Sequence, residues 1–130
     1  MTGYFANIQQ ETLTNTNFRR VLFTGQHCQL VVMSLLPGEE IGLEVHGNVD
    51  QFFRIEQGRA KFIINGEEYL ASDDFAVIVP AGAEHKVINV GDVELKLYTI
   101  YSPANHPAGT VHTTKAEADA AEQHEHERLD

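Results

Sequence analysis

Cysteine, positive charge and long apolar runs are all scarce in this chain, and each scarcity excludes something. Cys28 is the single cysteine, so no internal disulfide can staple the fold; with Leu30, Val31 and Val32 close behind, it reads as part of a buried strand. Lys and Arg number 9 against 19 Asp and Glu, a formal charge of −10 at pH 7. Phosphate backbones and anionic membrane surfaces repel such a chain, so neither a nucleic-acid nor a membrane partner is expected. No segment approaches the roughly 18 apolar residues of a membrane span. The stretch MTGYFANIQQ has neither a basic leader with an apolar run nor a cleavage signature, and the expected location is cytoplasmic.

What the chain does have is 130 residues, 42% of them hydrophobic, enough for one domain with a real core. Residues 1–17 are polar and carry scattered Phe5, Ile8 and Leu13, which suits an N-terminal arm or an edge strand. From Phe18 onward short β-branched and aromatic runs follow one another: FRRVLFT, HCQLVVMSL, DQFFRIE, RAKFIING, FAVIV, HKVINV and VELKLYTIY, each bounded by Gly, Pro, Asn or Asp. In AKFIINGEEYL, Asn65-Gly66 supplies the two positive-φ residues of a type I′ hairpin turn. With no long helical pattern between the strands, the fold class is all-β, an antiparallel sandwich or barrel over residues 18–104. Residues 105–130 read as a loop and an acidic helical tail, opened by a capping box of Thr114 and Glu117. That tail sets six acids against Lys115 and Arg128 and offers only small alanines before Leu129, so its anchoring should be weak. His124 and His126 stand two apart, which on a helix points them different ways, and a solvated charged face is expected there.

The chemistry concentrates in PGEEIGLEVHGNVDQFFRIEQG, Pro37 to Gly58. Glu44 and His46 share one face of a strand because they are two apart. If Gln51, Phe53 and Ile55 point into the same barrel, a polar cluster lies against apolar walls, and it needs a hydrogen-bond network or a cation to offset desolvation costing on the order of several kcal/mol. The segment resembles the first motif of the cupins, with Gly38, Glu44, His46, Gln51 and Gly58 at the family spacing; Asp74, Pro80, Gly82, His85 and Asn89 match the second motif. The resemblance implies a small antiparallel jelly-roll barrel with a short C-terminal helix and a divalent metal held by Glu44, His46, Gln51 and His85. Three departures stand out: Glu44 where many cupins have His, Gln51 where they have Glu, and Asp74 in place of a turn glycine, a turn that Asp73 and Asp74 can still form through hydrogen bonds to the local backbone. The first two offset each other, leaving one carboxylate, one amide and two imidazoles. Type II phosphomannose isomerases carry a similar inventory in a different order. Such a set suits Mn, Fe, Ni or Zn, with Gln51 either a ligand or a hydrogen-bonding neighbour of the metal or substrate.

Phe53, Ile55 and Tyr101 are the candidate substrate-pocket residues, Tyr101 by the parity of Leu95, Leu97 and Thr99, with Tyr98 on the opposite strand face. His27 is expected at a strand edge. His106 and His112 flank HPAGTVH, a surface loop unless it folds back over the barrel mouth. The functional expectation is a metal-dependent, dioxygenase-like enzyme acting on a small molecule. A sugar-isomerase-like enzyme is the alternative, with Arg54, Arg59, Lys61 and Lys86 as phosphate contacts, and a non-catalytic metal- or ligand-binding module is a third reading. Phe52 suits either a homodimer interface or packing beneath the N-terminal segment, and a homodimer is expected.

Overall fold

A computed structural model describes residues 3–129, with side chains through Glu122. Ten strands follow a short first helix: α1 (Ile8–Thr14), β1 (Arg19–Thr24), β2 (Gln29–Leu35), β3 (Glu40–Val45), β4 (Asp50–Gln57), β5 (Ala60–Ile64), β6 (Glu67–Ala71), β7 (Ala76–Val79), β8 (Glu84–Asn89), β9 (Leu95–Ser102), β10 (Val111–His112), then α2 (Lys115–Leu129). They form two antiparallel sheets, ordered β10-β1-β2-β9-β4-β7 and β3-β8-β5-β6. This is the expected jelly-roll barrel with a C-terminal helix. The Asn65-Gly66 turn is as read, both residues lying at positive φ.

Strand alternation writes the core in rows across the larger sheet. One row runs Arg19, Met33, Leu97, Ile55; the next Val21, Val31, Thr99, Phe53, Val77; the third Gln29, Tyr101, Gln51, Val79. All but Val77 are buried. The interior therefore grades from apolar at the centre to amide and phenol groups at one end. In the facing sheet His85 stands opposite both Glu44 and Ile64, while Val87 stands opposite Ile41 and Phe62. Phe53 and Phe62 join the sheets edge to face, ring centroids 5.0 Å apart.

Several motif residues serve the backbone. A Cβ on Gly58, at φ 107, would come within 3.1 Å of Leu95 Cα, so only glycine fits there. Asn89 donates to the carbonyls of Leu35 and Val93 and accepts from the Gly91 N–H. Asp74 takes φ 71, the left-handed conformation of the glycine it replaces. Its neighbour Asp73 accepts from the Gly58 N–H, not from the local turn.

Three local readings are corrected. Residues 8–14 are helical where an edge strand or loose arm was the expectation, because Asn7 caps the helix by accepting from the Gln10 N–H and Thr12 and Asn15 are buried. Seven residues are too few for an isolated helix, so packing on the sheet sustains it. Cys28 is exposed: the Gly25 N–H donates to its carbonyl and closes a turn, and β2 begins one residue later. Inside the C-terminal loop, Val111 and His112 add a short strand that pairs with Arg20 and Arg19. Half of the capping box forms, the Glu117 N–H donating to Thr114 Oγ1; the Glu117 carboxylate reaches one residue farther back than the box requires and accepts from the Thr113 N–H. His124 and His126 lie outside the described side chains.

Candidate metal centre

Glu44 and Ile41 both face the interior although they are three residues apart, which simple alternation forbids. A bulge resolves the conflict: the register of β3 on β8 shifts between Ile41, opposite Val87, and Glu44, opposite His85. It turns the Glu44 carboxylate toward His85, and alternation then carries His46 to the same side. Glu44 Oε2 lies 3.0 Å from His46 Nε2 and 3.8 Å from His85 Nε2. One ligand atom from each of the three residues falls within 4.8 Å of the others.

Burial sharpens the electrostatics. Desolvation alone would raise the Glu44 pKa, but the hydrogen bond with His46 and the electrostatic interactions with His46, Arg19 and His85 outweigh it, and the carboxyl is held below its usual range. His85 moves down because it is desolvated, against the opposing pull of Glu44 and the Ala83 backbone. Apart from the Ala83 backbone nearby, neither ring nitrogen of His85 has a well-directed hydrogen-bond partner among the described residues, and Gln51 Oε1 is likewise buried without one while Gln51 Nε2 donates to Thr99 Oγ1. Buried polar atoms left unpaired in this way are costly, and one carboxylate with two imidazoles is a donor set that suits a divalent cation.

A cavity of about 310 Å³ opens on the cluster, lined by Leu43, Glu44, Val45, His46, Asn105, His106 and Glu122. None of the three residues expected to line it, Phe53, Ile55 and Tyr101, is part of its wall. Phe53 packs against the His85 ring at 6.2 Å, and Ile55 lies in the core. Tyr101 points inward as its parity requires, its ring 6.2 Å from His46 and 5.2 Å from His106, and its hydroxyl is 3.3 Å from His106 Nε2. His27 is exposed. Arg54 pairs with Asp74 and Glu56, Lys61 with Glu68 and Lys86 with Glu40, and Arg59 is exposed; none of the four lines this cavity.

Two features of the site escaped the sequence reading. Gln29 clamps the C-terminal loop over the mouth: its Oε1 accepts from the N–H groups of Asn105 and His106, and its Nε2 donates to the His106 carbonyl. Arg19 is buried behind the cavity wall. The available signal was parity, since Arg19 and Gln29 fall on the strand faces of Val21 and Val31.

Burial, then the positive field of Arg19, pushes His106 down to about 3 from an ordinary 6.5, so it is neutral at any working pH. Unfolded chain binds a proton at His106 below pH 6.5, folded chain only near 3; unfolding therefore takes up a proton between those values, and stability is lost as pH falls through that window. A His106→Gln variant is expected to reduce proton uptake on unfolding by about one near pH 5, read as a flatter acid limb in the pH dependence of Tm. An unaltered acid limb would show that His106 titrates normally in the fold.

Residues 31–101 match the Cupin domain family. The Bacillus subtilis (strain 168) protein YrkC is 53% identical over 126 residues, covering 92% of this chain and 67% of its own. Protein L612 of Acanthamoeba polyphaga mimivirus is 43% identical over 113 residues, covering 83% of this chain and 70% of its own. The crystal structure of BH2720 from Bacillus halodurans is similar with a TM-score of 0.90 at 46% identity, over 92% of this chain and 95% of that one. Motif spacing, sheet order and these similarities converge: the chain belongs to the cupin domain family.

Proposed function

We propose that the protein is a divalent-metal cupin acting on a small organic molecule in dioxygenase-like chemistry, with Glu44, His46 and His85 as metal ligands and Gln51 Oε1 as a fourth, weaker donor. The observation that carries this is the convergence of one carboxylate and two imidazoles beside a cavity, with polar atoms of His85 and Gln51 buried and without well-directed partners among the described residues. Mn, Fe, Ni and Zn suit such a set. A bound ion supplies Lewis acidity or, for Fe, a redox centre open to substrate.

The chain's own residues do the rest. Glu44 is kept ionised and His85 neutral, the protonation states a cation requires. Burial keeps the Tyr101 hydroxyl protonated, since its pKa is raised mainly by desolvation. That hydroxyl lies 3.3 Å from His106 Nε2, so Tyr101 positions from beneath the neutral imidazole that lines the cavity. Leu43 and Val45 supply apolar wall. Because Arg54, Arg59, Lys61 and Lys86 stand away from this cavity, the sugar-phosphate isomerase reading has less support. A cytoplasmic location fits a chain with one thiol and no helix among the described residues that could cross a membrane.

We also read the chain as a homodimer. Phe23, Leu30, Ile100, Phe52 and Ile78 stand directly opposite one another across five strands of the larger sheet's outer face. The row bears no charge, so two chains of −10 each can meet there without confronting like charges.

Elemental analysis of untagged protein should give about one metal per chain, and a His46→Ala, His85→Ala variant should retain the fold and lose the metal. Folded wild-type protein that takes up no divalent ion would contradict the metal reading. Metal uptake with no turnover across small-molecule screens would favour a binding module over an enzyme. Light scattering should return twice the chain mass, and an Ile78→Glu, Ile100→Glu variant the mass of a single chain; a monomeric wild type would refute the dimer.

A further inference from the structure

Arg19 is out of place by the ordinary rules of burial. It stands in the same inward row as Met33, Leu97 and Ile55, is 1% exposed, and belongs to a chain with few cations. Removing a guanidinium from water costs several kcal/mol unless short, well-directed partners replace the solvent. Those among the described residues are loose. Nη1 lies 3.3 Å from His112 Nδ1 and 3.7 Å from the Glu122 carboxylate, the Phe18 ring is 5.5 Å from the guanidinium carbon, and Nε has no hydrogen-bond partner among the described residues.

Glu122 links this residue to the candidate centre. It sits one helical turn beyond Ala118, the buried residue through which α2 meets the core, and so on the same helix face. Its carboxylate meets Arg19 on one side while Glu122 lines the cavity beside Glu44, His46 and His106 on the other. At 39% side-chain exposure it is the accessible half of the pair; the guanidinium, at 2%, is the fixed half. The charge of Arg19 is felt at Glu44, Tyr101 and His106.

Resting on the reading of this cavity as a substrate site, we propose that Arg19 is its specificity determinant and selects a carboxylate-bearing substrate, whose carboxylate replaces that of Glu122 against the guanidinium. Glu122 then acts as an internal stand-in, held at a distance too long for a good ion pair and displaced by a ligand able to form the short bidentate contact a guanidinium prefers. A carboxylate is favoured over a phosphate monoester because the cavity wall carries no Lys or Arg among the described residues and a single guanidinium lies behind Glu122, and because a carboxylate is the group already at that position. The long-range field of a −10 chain repels anions, so the preference has to come from this local contact.

The test uses benzoate, benzamide and phenyl phosphate, of similar shape but different charge, titrated into full-length protein in metal-free and Zn-loaded forms and followed through the imidazole resonances of His46 and His106. Benzoate should bind about tenfold more tightly than benzamide in both forms. Glu122→Gln, a change at a partly exposed side chain, should tighten benzoate severalfold and leave benzamide unchanged. Arg19→Gln should abolish the discrimination; should that variant not fold, Arg19→Lys, which keeps the charge and loses the fork, should weaken benzoate and still exceed benzamide. Equal binding of benzoate and benzamide, an indifferent Glu122→Gln, or a preference for phenyl phosphate would each overturn the proposal. Zn uptake measured on the same samples separates the two readings: discrimination without metal uptake sinks the metal centre and keeps Arg19, and metal uptake without discrimination does the reverse.

Discussion

Glu44 Oε2 stands 3.0 Å from one imidazole nitrogen and 3.8 Å from another, in a place where water has largely been removed. A carboxylate can be kept ionised there only by positive charge or hydrogen bonds, and His85 can be kept neutral only if desolvation outweighs the pull of that carboxylate; both conditions hold. Much of the barrel's local geometry follows from meeting that constraint. The bulge in β3 aims the carboxylate inward, register sets His85 opposite it, and the Gly82 N–H ties the start of β8 to the His46 carbonyl.

Around the cluster the interior is graded. The rows of Met33, Leu97, Ile55 and of Val31, Phe53 supply the burial that stabilises the barrel, on the order of 25 cal/mol for each Å² of apolar surface removed from water. The last row, Gln29, Tyr101 and Gln51, gives that burial up at one end to gain polar function. Gln29 uses its amide to hold the chain after β9 across the mouth, and His106 arrives with it. Arg19 breaks the same apolar logic from β1, where the neighbouring edge strand β10 and α2 bring His112 and Glu122 to it. The carboxylate–imidazole cluster, the buried guanidinium and the loop across the mouth thus share a short length of barrel, while the apolar remainder carries the stability.

Much of this was legible in the sequence because strands write their faces at a period of two. Motif spacing put Glu44, His46 and His85 forward as a cluster, parity turned Tyr101 inward although it does not line the cavity, and the Asn65-Gly66 turn was marked by its demand for positive φ. The misses have equally definite causes. Parity gave no warning that Phe53 and Ile55 lie beneath the cavity instead of along it, because facing inward does not specify depth along a barrel. α1 was hidden because it is short and polar, and its helicity comes from a side-chain cap and from packing on the sheet. Cys28 was assigned to the strand beside it because a turn closed by backbone hydrogen bonds leaves little trace in residue type. Arg19 and His106 depend on contacts with residues 93 and 5 positions away, pairings that fold topology decides and local pattern does not.

The central claim is that Glu44, His46 and His85 exist to hold a cation. Anomalous diffraction at the metal edge on crystals of metal-loaded protein tests it most directly. The account predicts one dominant peak about 2.0–2.3 Å from the Glu44 carboxylate and the Nε2 atoms of His46 and His85, with the Gln51 amide oxygen completing the set. A fully occupied peak elsewhere on the chain, or none between these three residues at saturating metal, would contradict it.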